Sequence, residues 1–253
     1  MAVCATAARW LVVLAMGVSL TAQAQTPRSL SGVVLDTQGR PLQGAQVRLQ
    51  ADFLYGRVEA TTGPDGRYEF RDLLRTTYRV DAWIQRDYEG GTVCQRLAMP
   101  SPSDYNSFDV ARGAVRNFRW QLTGRVGVTN TNFGADIMMW FDDGSRDAAR
   151  AVEFTLTPTG PLIDGSRGAP IVREALLRSP ASDDGLRDIP LGRYRLSAVL
   201  VGKDGRRTPL LISTLNDMSF RPVVDLAWQA ERFCGSGHDS GVTPLLIRVR
   251  ARG

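Results

Sequence analysis

The segment Cys234-Gly235-Ser236-Gly237-His238-Asp239-Ser240-Gly241 puts the chain's single histidine beside two serines, an aspartate and a cysteine. Asp239-Ser240-Gly241 has the residue types of a serine nucleophile loop, where an imidazole takes the hydroxyl proton and a carboxylate orients the ring. The spacing argues against that chemistry. The groups of a triad converge from separated parts of a chain, whereas His238 stands two residues from both Ser236 and Ser240. A Gly-x-Ser-x-Gly elbow is also missing, because Cys234 and His238 occupy its glycine positions around Ser236. The expectation is a solvated, glycine-rich loop, with no catalytic residue assigned.

Metal chemistry is thinly supplied. One His and two mature-chain cysteines do not make ordinary zinc spacing. Asp142, Asp143 and Asp147 share a short stretch but lack the alternating ligands of a calcium loop, so a charged turn is expected there and at Asp183-Asp184-Gly185. No glycine loop between a strand and a helix offers to cradle phosphate, and no motif selects a carboxylate pair for glycoside hydrolysis. No metal or cofactor is expected.

Aromatic side chains give the remaining hint. By strand alternation Trp83 lies on the face opposite Tyr78, Val80 and Ala82, with Tyr88 just beyond. Trp140 opposes Ile137, Met139 and Phe141 in the same way. An exposed indole can stack on a sugar ring and offer its N–H, which makes Trp83, Tyr88 and Trp140 candidates for carbohydrate binding. Burial of these rings between two domains is the competing expectation.

The elements that must position these groups are strands. In Ala45-Gln46-Val47-Arg48-Leu49-Gln50 apolar and polar residues alternate, and Tyr78 to Ile84 repeat the pattern. Turn signals separate such runs, as at Gly63-Pro64-Asp65-Gly66 and Asp204-Gly205. Without long amphipathic helices, the fold class is all-β, with β-sandwich architecture. A composition of 43% hydrophobic and 23% charged residues excludes a disordered chain or a collagen-like fibre.

The first 24 residues have the layout of a secretory signal: Arg9, a short apolar run from Trp10 to Leu20, and Ala22-Gln23-Ala24 as a small-x-small cleavage site. The run is too short to span a membrane, and no comparable run follows. Export to the periplasm or the medium is therefore expected, with Cys94 and Cys234 paired as a disulfide in an oxidising compartment. Closing a loop of roughly 140 residues stabilises by about 4–5 kcal/mol in the chain-entropy account. The net charge of +5 comes from scattered arginines, with Lys203 the only lysine. Nucleic-acid binding is not expected, since a binding face concentrates its charge.

Leu30–Asp36, Gly39–Val47, Thr61–Phe70 and Tyr78–Ala82 together resemble the carboxypeptidase regulatory-like domain over about residues 30–85. The resemblance implies a seven-stranded, transthyretin-like sandwich, related in shape to collagen-adhesin B repeats and starch-binding, carbohydrate-binding-like modules. One departure is Leu74-Arg75-Thr76-Thr77, where the family has a Pro-Gly or Pro-x-Gly turn before its last Tyr. B repeats can carry a Lys–Asn crosslink, which Lys203 alone cannot supply in residues 25–150. The missing turn returns downstream: Leu186–Ala198 aligns without gaps on Phe70–Ala82 at an offset of 116 residues. Self-similarity at a fixed offset predicts a second, diverged sandwich.

The expected organisation is a signal at 1–24, a first sandwich at 25–98, a Pro- and Ser-rich linker at 99–114 and a second sandwich at 115–253. Residues 99–114 as a long loop within a shared fold is the alternative. The functional reading is an exported, non-enzymatic binding or structural module with carbohydrate or another envelope protein as partner. A secreted hydrolase with unrecognised carboxylates and an accessory subunit of a surface or secretion assembly are the alternatives. Intact-mass spectrometry of exported protein should give a chain beginning at Gln25 that gains two hydrogens on reduction; an unprocessed mass, or none gained, contradicts the reading.

Overall fold

The computed structural model describes residues 28–177, 184–215, 217–231, 234–235 and 238–252. The expected signal and its cleavage site, residues 1–24, lie outside the described residues, as does Ser236. The described chain is all-β, with two short 3-10 turns.

The first sandwich begins with β1 (Leu30–Leu35), β2 (Gln46–Ala51), β3 (Arg57–Thr61) and β4 (Arg67–Phe70). The long β5 (Thr77–Tyr88) and β6 (Gly91–Arg96) follow, then the two-residue strands β7 (Phe108–Asp109), β8 (Ala114–Val115) and β9 (Phe118–Arg119). One sheet runs β4-β1-β8, with β9 continuing the line of β8 along β1; the other runs β3-β2-β5-β6, with β7 also on β5. Counted as lines, the strands number seven. Alternation does the sorting: Val47, Leu49, Val80 and Ala82 turn inward and pack with Leu30, Val34, Tyr68 and Phe118, while Arg48 and Arg79 face out.

The expected 99–114 linker is part of this sandwich. A 3-10 turn at Pro102–Tyr105 is closed by a Ser101/Asp104 capping box, β7 pairs with β5, and β8 pairs in parallel with β1. The expected boundary at 115 also moves, because β8 and β9 complete the first sheet and Phe118 and Trp120 fill its core. The physical reason is that β1 and β5 would otherwise leave backbone edges unpaired.

The second sandwich comprises β10 (Ala135–Phe141), β11 (Ala149–Leu162), β12 (Ile171–Leu176), β13 (Gly185–Ile189), β14 (Gly192–Gly202), β15 (Arg207–Thr214), β16 (Asp217–Arg221), β17 (Val224–Leu226) and β18 (Leu245–Ala251). Its strand order is β12-β11-β14-β15-β18-β10-β13. β15 changes layer: Arg207–Pro209 pair with β14, and Leu210–Thr214 pair with β18. The pairing repeats that of the first sandwich. β10, like β1, has an antiparallel neighbour on one side (β13 for β4) and a parallel one on the other (β18 for β8 and β9). β12-β11-β14-β15 follows β3-β2-β5-β6.

Local geometry repeats with it. Asp72 and Asp188, 116 residues apart, both adopt positive φ (54° and 60°), an uncommon state for a residue other than glycine. The Tyr78 hydroxyl donates to the Leu74 carbonyl at 3.2 Å and the Tyr194 hydroxyl to the Pro190 carbonyl at 2.8 Å, again at equivalent positions. The turn that departs from the family pattern therefore closes as the proline-containing one does.

The two sandwiches meet around the β5–β6 hairpin. Tyr88 and Val93 lie in the core of the second sandwich, among Leu191, Tyr194, Trp228 and Val242. Beside them Cys94 and Cys234 form the expected disulfide, with Cα atoms 5.1 Å apart. Gly241 crosses Cys94 with φ +74°, and a Cβ there would come within 2.4 Å of the Cys94 carbonyl oxygen. Gly241→Ala should therefore lower stability by more than about 1 kcal/mol, read as the denaturant midpoint at unchanged slope. An unchanged midpoint contradicts the close crossing.

Candidate functional site

The three candidate aromatics occupy three different environments. Trp83 faces out from β5 as alternation requires, yet is only 6% exposed. The Arg48 guanidinium lies 4.7 Å from its ring centroid, and Gly235, brought over the sheet by the disulfide, packs against both the ring and the guanidinium. Tyr88 is 9% exposed in the second core; its hydroxyl donates to the Gly192 carbonyl at 3.2 Å and accepts the Trp228 N–H at 3.4 Å. Burial pushes its phenol up to about 12, against the Trp228 hydrogen bond that acts the other way. Neither ring offers a face to a ligand, which corrects the expectation for both. Trp140 does: it is 53% exposed, unusual for the residue type.

Trp140 stands on the outer face of β10, opposite Arg248 of β18, while its neighbours Ile137 and Met139 point into the core. Beyond it the chain turns through Asp142–Asp147 and borders an open cleft of about 330 Å³ lined by Trp140, Asp143, Arg146, Asp147 and Asp184. The three loop carboxylates have separate roles. Asp142 pairs with Arg248. Asp143 caps the 3-10 turn Gly144–Ala148, accepting from the Ser145 N–H at 3.0 Å and the Ala251 N–H at 2.8 Å. Burial works against the charge of Asp143, but the hydrogen bonds from Ser145 and Ala251 hold its carboxyl below the usual range. Asp147 is exposed. Arg146 Nε donates to the buried Asp184 carboxylate at 2.7 Å, which fixes the guanidinium beside the cleft and raises its pKa. The pairing of Arg146 with Asp184 and of Arg248 with Asp142 escaped the sequence reading, because no local pattern links residues 38 or 106 positions apart. Among the described residues no group of three or more His, Cys, Asp or Glu side chains is placed to hold a metal.

Residues 234–235 and 238–241, expected in a solvated loop, strap the two sandwiches together. The Asp239 carbonyl accepts the Arg96 N–H at 2.9 Å, and its carboxylate takes Arg96 Nη1 at 3.0 Å and the Thr131 hydroxyl at 2.6 Å. His238 Nδ1 meets Glu231 Oε1 at 2.5 Å, at the rim of a polar cleft of about 140 Å³ that also touches Asp136 and Arg187. Burial raises the Asp136 carboxyl, opposed by the Asp188 N–H it accepts at 3.0 Å. A His–Glu pair can orient an imidazole as a base. Among the described residues the nearby hydroxyls are engaged elsewhere: Ser240 is buried and donates to the Val242 carbonyl at 3.3 Å, and Thr131 donates to Asp239.

Residues 29–91 match the family model of the carboxypeptidase regulatory-like domain. The match to this regulatory-like domain ends inside the β5–β6 hairpin, so β7, β8 and β9, which close the sandwich, lie beyond it. No curated protein matches the chain. Among solved structures it is similar to a DUF3823 family protein from Bacteroides ovatus, at 11% identity and TM-score 0.26 over 79% of this chain and 98% of that one. It is also similar to GBS52, the minor pilin of Streptococcus agalactiae, at 13% identity and TM-score 0.25 over 89% and 97%. A Streptococcal ancillary pilin gives 11% and 0.26 over 86% of this chain and 61% of that one. Likenesses this low say nothing of what the chain binds.

The environments separate the aromatics by stability. Tyr88→Ala should cost about 3–5 kcal/mol, as for a large aromatic truncated in a core, whereas Trp140→Ala should stay within about 0.5 kcal/mol. Equal denaturant midpoints for the two variants contradict this placement.

Proposed function

We propose that the protein is an exported, non-enzymatic binding module that holds a carbohydrate of the cell envelope against Trp140. The observation that carries this reading is the half-exposed indole on a rigid strand, bordered by a cleft with fixed charged groups. A pyranose ring stacks its C–H face on an indole, and its hydroxyls need donors and acceptors at the rim. Arg146 and Asp147 stand at that rim. Preorganisation supports binding: β10 pairs with β18 through Trp140 itself and with β13 up to Met138, so Trp140 loses little freedom when a ligand arrives.

Export rests on the signal-like N-terminus and on the Cys94–Cys234 bond, which suits the periplasm or the medium. Among the described residues no helix is long and apolar enough to cross a membrane. A polysaccharide pull-down and glycan array with wild type and Trp140→Ala test the reading. Wild type should retain a glycan, and the variant should lose at least about tenfold in affinity. Unchanged retention by a folded Trp140→Ala chain ends the proposal.

A further inference from the structure

The two ends of the first sandwich differ in kind. Tyr88, at the end of β5, enters the second sandwich, so the end that holds the β5–β6 turn is covered. The opposite end gathers the loops after β2, after β4 and after β7, because β2, β4 and β7 finish there while β1, β5 and β8 begin there. On that free end the β2–β3 loop carries Phe53, Leu54 and Tyr55 in succession. Phe53 is 84% exposed and Tyr55 110%, more than in an extended reference chain, and Leu74 of the neighbouring loop is exposed beside them.

Three consecutive apolar side chains do not project into water to stabilise a fold. The base of the loop is nonetheless fixed: the Asp52 N–H donates to the Thr77 carbonyl at 3.0 Å, and Arg79 Nε donates to the Asp52 carboxylate at 2.9 Å. The loop thus holds its apolar tip outward. Around the tip charges of both signs are exposed, and among those without an ion pair in the described residues Arg28, Arg75 and Arg112 outnumber Asp72 and Asp109 by one. Arg75 in the β4–β5 loop and Arg112 in the β7–β8 loop are exposed, and neither has a carboxylate partner among the described residues.

We infer that this end of the first sandwich is a docking surface for an anionic lipid bilayer, with Phe53, Leu54 and Tyr55 entering the headgroup boundary and Arg75 and Arg112 lying at the phosphates. Shape and charge both favour a bilayer over a protein partner. A convex tip of adjacent apolar residues needs a separate pocket for each ring in a protein, whereas an interfacial layer accepts it as it stands. Aromatic and arginine side chains have an apolar body and a polar or charged end, which suits that boundary. Apolar insertion by one short loop is weak alone, and basic groups beside it supply the second attraction that makes such anchoring effective. The surface is independent of Trp140, which lies on the other sandwich.

Co-sedimentation of the oxidised mature chain with vesicles tests the inference, using phosphatidylethanolamine with phosphatidylglycerol against phosphatidylcholine alone. Wild type should partition onto the anionic vesicles, less so as salt rises, and only weakly onto phosphatidylcholine. The triple variant Phe53→Ser/Leu54→Ser/Tyr55→Ser should lose at least about tenfold. Arg75→Gln/Arg112→Gln should lose at least about fivefold per arginine and flatten the salt dependence. All the substituted side chains are exposed, so thermal midpoints should match wild type and exclude a folding effect. Partition of the triple variant like wild type, equal binding to both vesicle types, or no binding at low salt each overturns the inference; the last turns the tip towards a pocket on another protein.

Discussion

One strand belongs to two cores. β5 begins with Tyr78 packed among the residues of the first sandwich and ends with Tyr88 packed among those of the second, so a single extended backbone fixes the distance between them. The hydroxyl of Tyr88 reaches the Gly192 carbonyl and the Trp228 N–H, two groups that would otherwise be buried by its ring without water. Everything nearby follows from that insertion. Cys94 arrives next to Cys234, Gly235 lies against Trp83 of the first sandwich, and Arg96 lies between Asp81 and Asp239.

The second constraint is the repeated frame. Register pairs place Val34 of β1 where Phe141 stands in β10, since their parallel partners are Phe118 and Val249 in the last strands of each sandwich. On that frame Trp140 corresponds to Val33. The platform proposed for a sugar thus arose on an outward position that the first sandwich fills with an aliphatic side chain. The apolar tip, in turn, sits on the β2–β3 loop of the first sandwich. The core positions and the tyrosine–carbonyl turn are common to both units, and the features that face solvent distinguish them. Such a division is what packing would impose, because an inward substitution disturbs many contacts and an outward one few.

Much of this was legible in the residues. The period-two runs at 45–50 and 78–84 became β2 and β5, the Cys94–Cys234 pairing formed, and the match of 186–198 to 70–82 marked β13–β14 as the counterpart of β4–β5. Alternation reports which face a side chain takes; it does not report what lies on that face. For that reason Trp83 faces outward and is still buried, beneath Gly235, which the disulfide delivers from 152 residues away. Residues 99–114 misled for a different reason. Strands of two residues are too short to show a period, and their Pro and Ser residues serve the capping box at Ser101 rather than a free linker. The cleft beside Trp140 draws Arg146 and Asp184 from separate strand ends, a convergence fixed by the sheet and not by the spacing.

Calorimetry of the oxidised, mature chain tests the shared strand most directly. If Tyr88 joins the two cores, unfolding one sandwich exposes part of the other, and heat should produce one transition with equal calorimetric and van't Hoff enthalpies. Two resolved transitions, each with the enthalpy of half the chain, would contradict it.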